Sequence, residues 1–424
     1  MENKLKVVVF SLGCKVNQYE GRSMVEKLEE NGFYATDKPE PADAYIINTC
    51  SVTAEADKKS RQAVARMLKL NPDAKIYICG CSSQNNPIQY ESKPNIRMIF
   101  GSFGKISAIS SIMSDIVLND THKPLVNVCS MPEKYEDDLS PELTKSRAFL
   151  KVQDGCNNYC SYCIVPYLRG RSRSRSVESV VAEAKDVCMK TREIVITGIN
   201  VSAYGLDCGS SLGELIDALA CVPVRKRFGS IECTIITDEL LEKMKAAGFC
   251  DSFHLSMQSG SDGVLKRMNR HYTSRKFLDK VALIRKHFPH AGITTDVIVA
   301  FPGETDEEFS ESMKTVEQAC FLDMHVFPYS IRPGTKAANM QQVPSAVANE
   351  RVKRMLELKS ELNRRFIESQ IGYEGEVFVE DSEGEYNVGL MPNYIKVYTT
   401  APVGTFSKHK LVKYYNNGAI GEQL

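Results

Sequence analysis

A chain of 424 residues, 43% hydrophobic and 25% charged, has an ordinary globular composition and is long enough for two or three domains. Its 53 basic and 53 acidic side chains cancel, so no global basic field marks a nucleic-acid binder and any such patch has to be local. The 14 cysteines follow a start that reads as a lone strand, with no secretory leader and no apolar run near the ~20 residues of a membrane span; they are expected to serve metal in a reducing cytoplasm, with no membrane partner.

In residues 1–135 short apolar runs alternate with helical stretches. Lys6–Phe10 predicts a strand ending at Ser11-Leu12-Gly13-Cys14, then a helix from Gln18 to Glu30. Ala44–Ile47 predicts a strand ending at Asn48-Thr49-Cys50, then a helix from Glu55 to Leu70. Lys75–Ile78 predicts a third strand, ending at Cys79-Gly80-Cys81. This alternation implies a parallel α/β sheet. Cys14, Cys50 and Cys81 each fall just past the carboxyl end of a strand, the edge where such sheets place ligands, so they are expected to meet in space. Cys81 is preferred to Cys79 because Gly80-Cys81 repeats Gly13-Cys14, whereas Cys79 still belongs to the strand. Glu91–Glu142 is less informative, and Pro132–Pro141 reads as an acidic linker.

Residues 145–365 carry six strand candidates, each followed by a helical stretch: Phe149–Gln153, Glu193–Thr197, Phe228–Glu232, Ser252–Met257, Ile293–Phe301 and Met324–Tyr329. Six such units form a partial version of the eight-unit barrel, with function at the carboxyl ends of the strands. The loop after the first strand holds Cys156, Cys160 and Cys163 in a C-x3-C-x2-C run with no fourth ligand nearby. Structural zinc wants four ligands, and ferredoxin-type clusters usually take four cysteines. Three therefore suggest an iron–sulfur cluster with one iron open to a non-protein ligand. Glu232, Ser256 and Gln258 end later strands on the same rim, suited to bonding a ribose or a carboxylate, or simply to capping the next helix.

Arg169, Arg171, Arg173 and Arg175 form the densest basic run, close behind the cysteine loop, and fit either phosphate binding or a solvated loop. Cys129, Cys188, Cys208, Cys221, Cys233, Cys250 and Cys320 lack ligand spacing, and His254 and the other histidines read as core or surface. Ser345–Ser369 reads as a solvated connecting helix. Residues 371–424 alternate apolar and polar residues over Gly375–Glu380, Glu385–Leu390, Ile395–Tyr398 and Thr405–Tyr415, the pattern of short antiparallel strands in a small barrel. Lys396 and Tyr398 there suit phosphates and stacked bases, although at least half of the module's tyrosines are expected to be core.

The C-x3-C-x2-C run, with Tyr162 before its last cysteine, resembles the signature of the radical S-adenosylmethionine (SAM) superfamily. Ser11–Glu20, Asn48-Thr49-Cys50 and Gly80-Cys81 resemble the amino-terminal motifs of the methylthiotransferases. The resemblance covers nearly the whole chain. It implies two 4Fe–4S clusters, one on Cys156, Cys160 and Cys163 where SAM is split to a radical, and an auxiliary one on Cys14, Cys50 and Cys81 that carries the inserted sulfur. It further implies SAM contacts from the Thr197-Gly198-Ile199-Asn200 loop and from Arg270 in Met268–Tyr272. Asp296–Thr305 and Ile331–Thr335 also match, except that Ala300 stands where the family usually has glycine. The carboxyl-terminal module resembles the RNA-binding TRAM domain. Gly13–Glu20 and Arg171–Ser174 most resemble the branch that modifies N6-threonylcarbamoyladenosine at tRNA position 37, in the anticodon stem-loop. A reductant such as flavodoxin or ferredoxin and a sulfur donor are implied partners. The alternatives are enzymes acting on isopentenyladenosine or on a ribosomal-protein aspartate, and an iron- or RNA-binding regulator without turnover.

The expected architecture is thus α/β: an amino-terminal parallel domain over residues 1–135, a partial (β/α)6 barrel over 145–365 and a small antiparallel β-barrel over 371–424.

Overall fold

The computed structural model describes residues 4–118, 123–128, 130–137, 142–143 and 147–424. Cys129 and residues 138–141 of the expected linker lie outside them.

The amino-terminal part contains β1 (Lys6–Ser11), α1 (Lys15–Glu30), β2 (Tyr34–Thr36), β3 (Ala44–Thr49), α2 (Ala54–Leu68), β4 (Lys75–Gly80), α3 (Cys81–Asn85), α4 (Ile88–Glu91), β5 (Ile96–Phe100), α5 (Lys105–Leu118) and β6 (Leu125–Asn127). All six strands run parallel, in the order β2-β1-β3-β4-β5-β6. Val7 and Val9 pack with Met24 and Ile109 on one face, and Val8 and Ile47 with Val64 and Met67 on the other. Burial on both faces is why the central strands read as unbroken apolar runs rather than alternating ones. Three of these strands were expected; β2, β5 and β6 are short or flanked by weaker turn signals.

The middle part contains β7 (Glu142–Leu143), β8 (Arg147–Asp154), α6 (Val165–Arg169), β9 (Arg173–Ser174), α7 (Val177–Cys188), β10 (Glu193–Gly198), α8 (Leu212–Ala218), β11 (Arg225–Phe228), α9 (Asp238–Ala246), β12 (Ser252–Gln258), α10 (Asp262–Arg267), α11 (Ser274–His287), β13 (Gly292–Val299), α12 (Asp306–Ala319), β14 (Asp323–Pro328) and α13 (Ser345–Ser369). β8, β10 and β11 form one parallel run and β12, β13 and β14 another. Only the Lys226–Phe249 and Ile231–Leu255 bridges join them. The third strand lies three residues earlier than expected, because Gly229-Ser230 ends it and Ile231 pairs with β12 instead. Residues at alternate positions, such as Leu150, Ile196, Leu255 and Val297, bury against the surrounding helices. The intervening positions face the lumen.

The expected linker is not free. The Tyr135 hydroxyl donates to the Lys151 carbonyl at 2.8 Å, Glu136 accepts from the Gly104 N–H at 2.6 Å, and Asp137 pairs with Arg175 at 2.5 Å. Its acidic residues are there to meet these partners, which lie far off in sequence.

The carboxyl-terminal part contains β15 (Glu374–Glu383), β16 (Tyr386–Leu390), β17 (Lys396–Thr399), β18 (Phe406–Tyr415) and β19 (Gly418–Gln423), closed in the order β15-β16-β17-β19-β18. It is antiparallel except that β17 and β19 run parallel. It docks at the amino-terminal ends of the barrel strands, where Arg227 donates to the carbonyls of Pro392 at 2.6 Å and Met391 at 3.0 Å, and Arg147 pairs with Glu380 at 2.9 Å.

Candidate active site

Cys14 precedes α1, Cys50 follows β3, and Cys81 opens α3 directly after β4. Their strands are neighbours in the sheet, so the three loops lie side by side. A Cβ on Gly13, whose φ is +94°, would sit 2.4 Å from the Cys50 Sγ. Only glycine lets the first loop press this closely on the second. Burial pushes the Cys50 thiol up to about 11, with Cys14 and Cys81 adding like-charge repulsion. Cys79 stays inside β4, 3% exposed, and donates to the Asn48 Oδ1 at 3.7 Å.

Cys156, Cys160 and Cys163 occupy the loop between β8 and α6. The Asn158 N–H points at the Cys156 Sγ at 3.5 Å, the Asn200 amide at the same sulfur at 3.7 Å, and Arg270 Nη1 at the Cys160 Sγ at 3.5 Å. Burial pushes the Cys163 thiol up to about 12, with Cys160 and Cys156 raising it further. Metal binding to such thiols has to displace protons, and N–H donors aimed at sulfur favour the anionic product. Among the described residues, no three His, Cys, Asp or Glu side chains close on a single metal-ion position. Thiolates of a polynuclear cluster each take a different iron, so separate thiols, with N–H donors aimed at Cys156 and Cys160, fit such a cluster.

The remaining expected cofactor contacts gather around the second triplet. Arg270 Nη1 pairs with Glu232 at 3.0 Å and Nη2 donates to the Ser256 carbonyl at 3.1 Å. Asn158, which sequence reasoning missed, donates to Glu232 at 2.6 Å. Ser256 thus contributes its carbonyl to holding Arg270. Gln258 ends β12 at φ +65°, half-buried. Tyr162 packs edge-on against Phe301, their centroids 6.4 Å apart, which braces the loop from below. Gly198 is explained by strand packing, since a Cβ there would lie 2.9 Å from the Gln153 carbonyl. The Asn200 N–H is held by the Gln153 side chain at 2.7 Å. Ala300 has φ +56°, a conformation glycine adopts without strain, and its N–H is tied to Glu304 at 2.7 Å.

The two triplets face one another. Cys81 packs with Ile164 and Leu168, just beyond Cys163. The Ala54 N–H, close behind Cys50, donates to the Ser330 hydroxyl at 3.1 Å, and Arg332 donates to the Ser51 hydroxyl at 2.6 Å. A cavity of about 160 Å³ opens beside Tyr159, Cys160, Cys163, Tyr167 and Lys336.

The basic run behind the second loop is mostly not a phosphate surface. Arg169 is 1% exposed, Arg173 3% and Arg175 6%, and only Arg171 is exposed. Arg173 donates to the carbonyls of Arg169 and Arg171, and Arg175 pairs with Glu183 and Asp137. In the carboxyl-terminal barrel Tyr398 is likewise buried, so its ring is not presented for stacking, while Lys396 is partly exposed and pairs with Glu383.

Arg169 instead joins a buried charge network that sequence reasoning missed. Glu20 on α1 receives Lys105 at 2.5 Å, Lys151 at 2.7 Å and Arg169 at 2.8 and 3.0 Å. Asp154 receives Lys151 at 2.6 Å and Arg169 at 2.9 Å. Three cations share two carboxylates, which ties the amino-terminal domain to the barrel. Arg169 also opposes the rise in thiol pKa at Cys14 and Cys50. The available signal was a Lys151-x-x-Asp154 pair in a strand that, after Arg147, is otherwise apolar or amidic.

The network makes stability pH-dependent. Burial raises the Asp154 pKa, but Arg169 and Lys151 outweigh it and hold the carboxyl at about 2, with Glu20 held well below its ordinary value. Depressed carboxylates stabilise above their unfolded pKa of about 4 and lose that contribution as pH falls through the folded value. The urea midpoint of the apoprotein is therefore expected to drop between about pH 4 and about pH 2. Equal midpoints at both ends would contradict the network.

No helix among the described residues is long and apolar enough to cross a membrane. Residues 150–316 match the Radical SAM superfamily, and residues 6–101 match a family described as Uncharacterized protein family UPF0004. The chain is 38% identical to the threonylcarbamoyladenosine tRNA methylthiotransferase MtaB of Bacillus subtilis, over 97% of this chain and 95% of that one. It is 32% identical to the tRNA-2-methylthio-N(6)-dimethylallyladenosine synthase of Desulforamulus reducens, over 100% and 92%. Among solved structures it resembles TsrM, a radical SAM methyltransferase from Kitasatospora setae, with TM-score 0.57 and 14% identity, covering 79% of this chain and 74% of that one, a likeness of fold alone. With near-complete coverage of such relatives, and a cysteine triplet at the strand ends of the amino-terminal sheet packed beside a second on the barrel, the chain belongs to the radical SAM tRNA methylthiotransferases.

Proposed function

We propose that this enzyme places a methylthio group on C2 of N6-threonylcarbamoyladenosine at position 37 of tRNA. The observation that supports the reading is the packing of Cys81 against Ile164 and Leu168, at the helix that follows Cys163, which brings the two cysteine loops close to one another. When bound, a cluster on Cys156, Cys160 and Cys163 supplies reductive cleavage of SAM, and one on Cys14, Cys50 and Cys81 supplies sulfur. The chain's own residues orient and enclose. Glu232, Arg270 and Asn158 form a half-buried polar clamp beside Cys160, suited to the charged amino-acid end or the ribose of SAM. Holding both reactants against one base removes the entropy of bringing them together. The base has to leave its stack, which costs least in a single-stranded anticodon loop. A reductant of the flavodoxin or ferredoxin class and a sulfur donor complete the reaction, in the cytoplasm. The relatives named for the dimethylallyladenosine reaction favour isopentenyladenosine as the second reading.

Nucleoside mass spectrometry after anaerobic incubation of reconstituted enzyme with SAM, reductant, sulfide and unmethylthiolated tRNA tests this. A methylthio group on threonylcarbamoyladenosine is expected, whereas the same group on isopentenyladenosine would overturn the substrate. Cys50→Ala is expected to leave 5′-deoxyadenosine formation but yield no methylthio nucleoside. Full product from that variant would refute the role of the first triplet.

A further inference from the structure

Lys15, directly after Cys14, extends over the open lumen of the barrel. Its Nζ lies 5.7 Å from the centroid of the Phe149 ring. Phe149 alternates with Ala148 and Leu150, which bury against the helices, so it faces inward. Among the described residues Lys15 makes no ion pair or hydrogen bond. Glu193, the carboxylate that acts on it, is already held by Arg147 at 2.7 Å and Arg227 at 2.8 Å. Lys15 is thus a cation without an anion, exposed inside a cleft.

The other side of the lumen is polar. His254 bonds Asp296 at 3.2 Å and lies 5.9 Å from His325, ring to ring. Beside them Phe327 is 46% exposed. A closed eight-stranded barrel fills its interior with packed apolar layers. This six-stranded one leaves Lys15 exposed beside Phe149 on one side and His325 and Phe327 exposed on inward positions of β14 on the other.

Resting on the substrate reading above, we infer that this lumen is the subsite for the N6 substituent of the modified adenosine, with Lys15 receiving its free carboxylate. An unpaired ammonium on an aromatic wall matches a carboxylate carried on a short polar chain, and Asp296, 26% exposed while His254 is taken up by it and by Thr294, is placed to accept from that chain's hydroxyl or amide groups. An isopentenyl group would leave Lys15 and the polar wall without partners, which is the kind of mismatch that rejects a substrate.

The test compares three anticodon stem-loop RNAs carrying threonylcarbamoyladenosine, its threoninamide analogue and isopentenyladenosine. Reconstituted enzyme is assayed for kcat/KM and, without reductant, for Kd by fluorescence anisotropy. Wild type is expected to prefer the acid to the amide by about tenfold or more in both. Lys15→Gln is expected to bring that ratio close to one, Lys15→Arg to keep most of it, and Lys27→Gln, on the exposed face of α1, to leave it unchanged. Because binding is read without turnover, the comparison holds even where Lys15→Gln carries fewer clusters. A ratio retained in Lys15→Gln, or a wild type that modifies the acid but does not distinguish it from the amide, overturns the subsite and leaves the substrate reading standing. A wild type active only on isopentenyladenosine overturns both.

Discussion

Cys160→Ala is expected to abolish 5′-deoxyadenosine formation and all methylthio product, while about half of the iron remains bound. Cys160 lines the cavity and lies 3.5 Å from Arg270, which Glu232 and the Ser256 carbonyl hold in place. Among the described residues no other thiol is placed to substitute, because Cys156 and Cys163 have positions of their own and Cys233, the nearby alternative, is 1% exposed within the barrel core. Alanine therefore leaves a second iron, beside the one that SAM takes, without protein ligation. The first triplet is untouched, so its iron and its spectroscopic signal should persist. Anaerobic chromatography of SAM products, with iron counted on the same sample, decides the point. Residual 5′-deoxyadenosine at even a tenth of the wild-type rate would show that Cys160 is not a cluster ligand.

The second large effect concerns stability. Glu20→Ala is expected to cost the apoprotein about 3–5 kcal/mol, the range for removing one partner from a buried ion network. Glu20 is 3% exposed and takes four short contacts from Lys105, Lys151 and Arg169. Without it three buried cations face Asp154 alone. Lys105→Met removes the surplus cation instead and should cost less, because two cations then balance two carboxylates. The double variant should cost less than the sum of the singles, as expected of residues in one network. Urea unfolding of all three measures this. A loss below about 1 kcal/mol for Glu20→Ala would mean that the network is not a structural joint.

The same network shows what chain order conceals. Glu20, Lys105, Lys151, Asp154 and Arg169 are spread over 150 positions. Nothing in the chain order links them, and the arginine run reads either as a phosphate site or as a solvated loop. Burial reverses the meaning. An arginine buried to 1% beside two carboxylates is committed to the fold, and neutralisation inside the protein leaves little of it for RNA. Tyr398 changed role for the same reason: Val397 takes the barrel core, and Tyr398, on the opposite face of the strand, is buried against Tyr386 and Tyr415.

Local chemistry, by contrast, was legible because its physics is local. Three thiols within eight residues converge whatever surrounds them. Apolar runs alternating with helical periods imply parallel strands, and strand ends share an edge, so Cys14, Cys50 and Cys81 could be placed together before any coordinates. The sequence by itself determined the class of chemistry, the α/β architecture and the six barrel strands, apart from the third strand's register. Only the tertiary structure decided which charges are spent on folding, that the acidic linker is docked, and that Lys15 is left unpaired over an open lumen. Those outcomes depend on pairings between residues tens to hundreds of positions apart, and on desolvation that no single residue carries in its own neighbourhood.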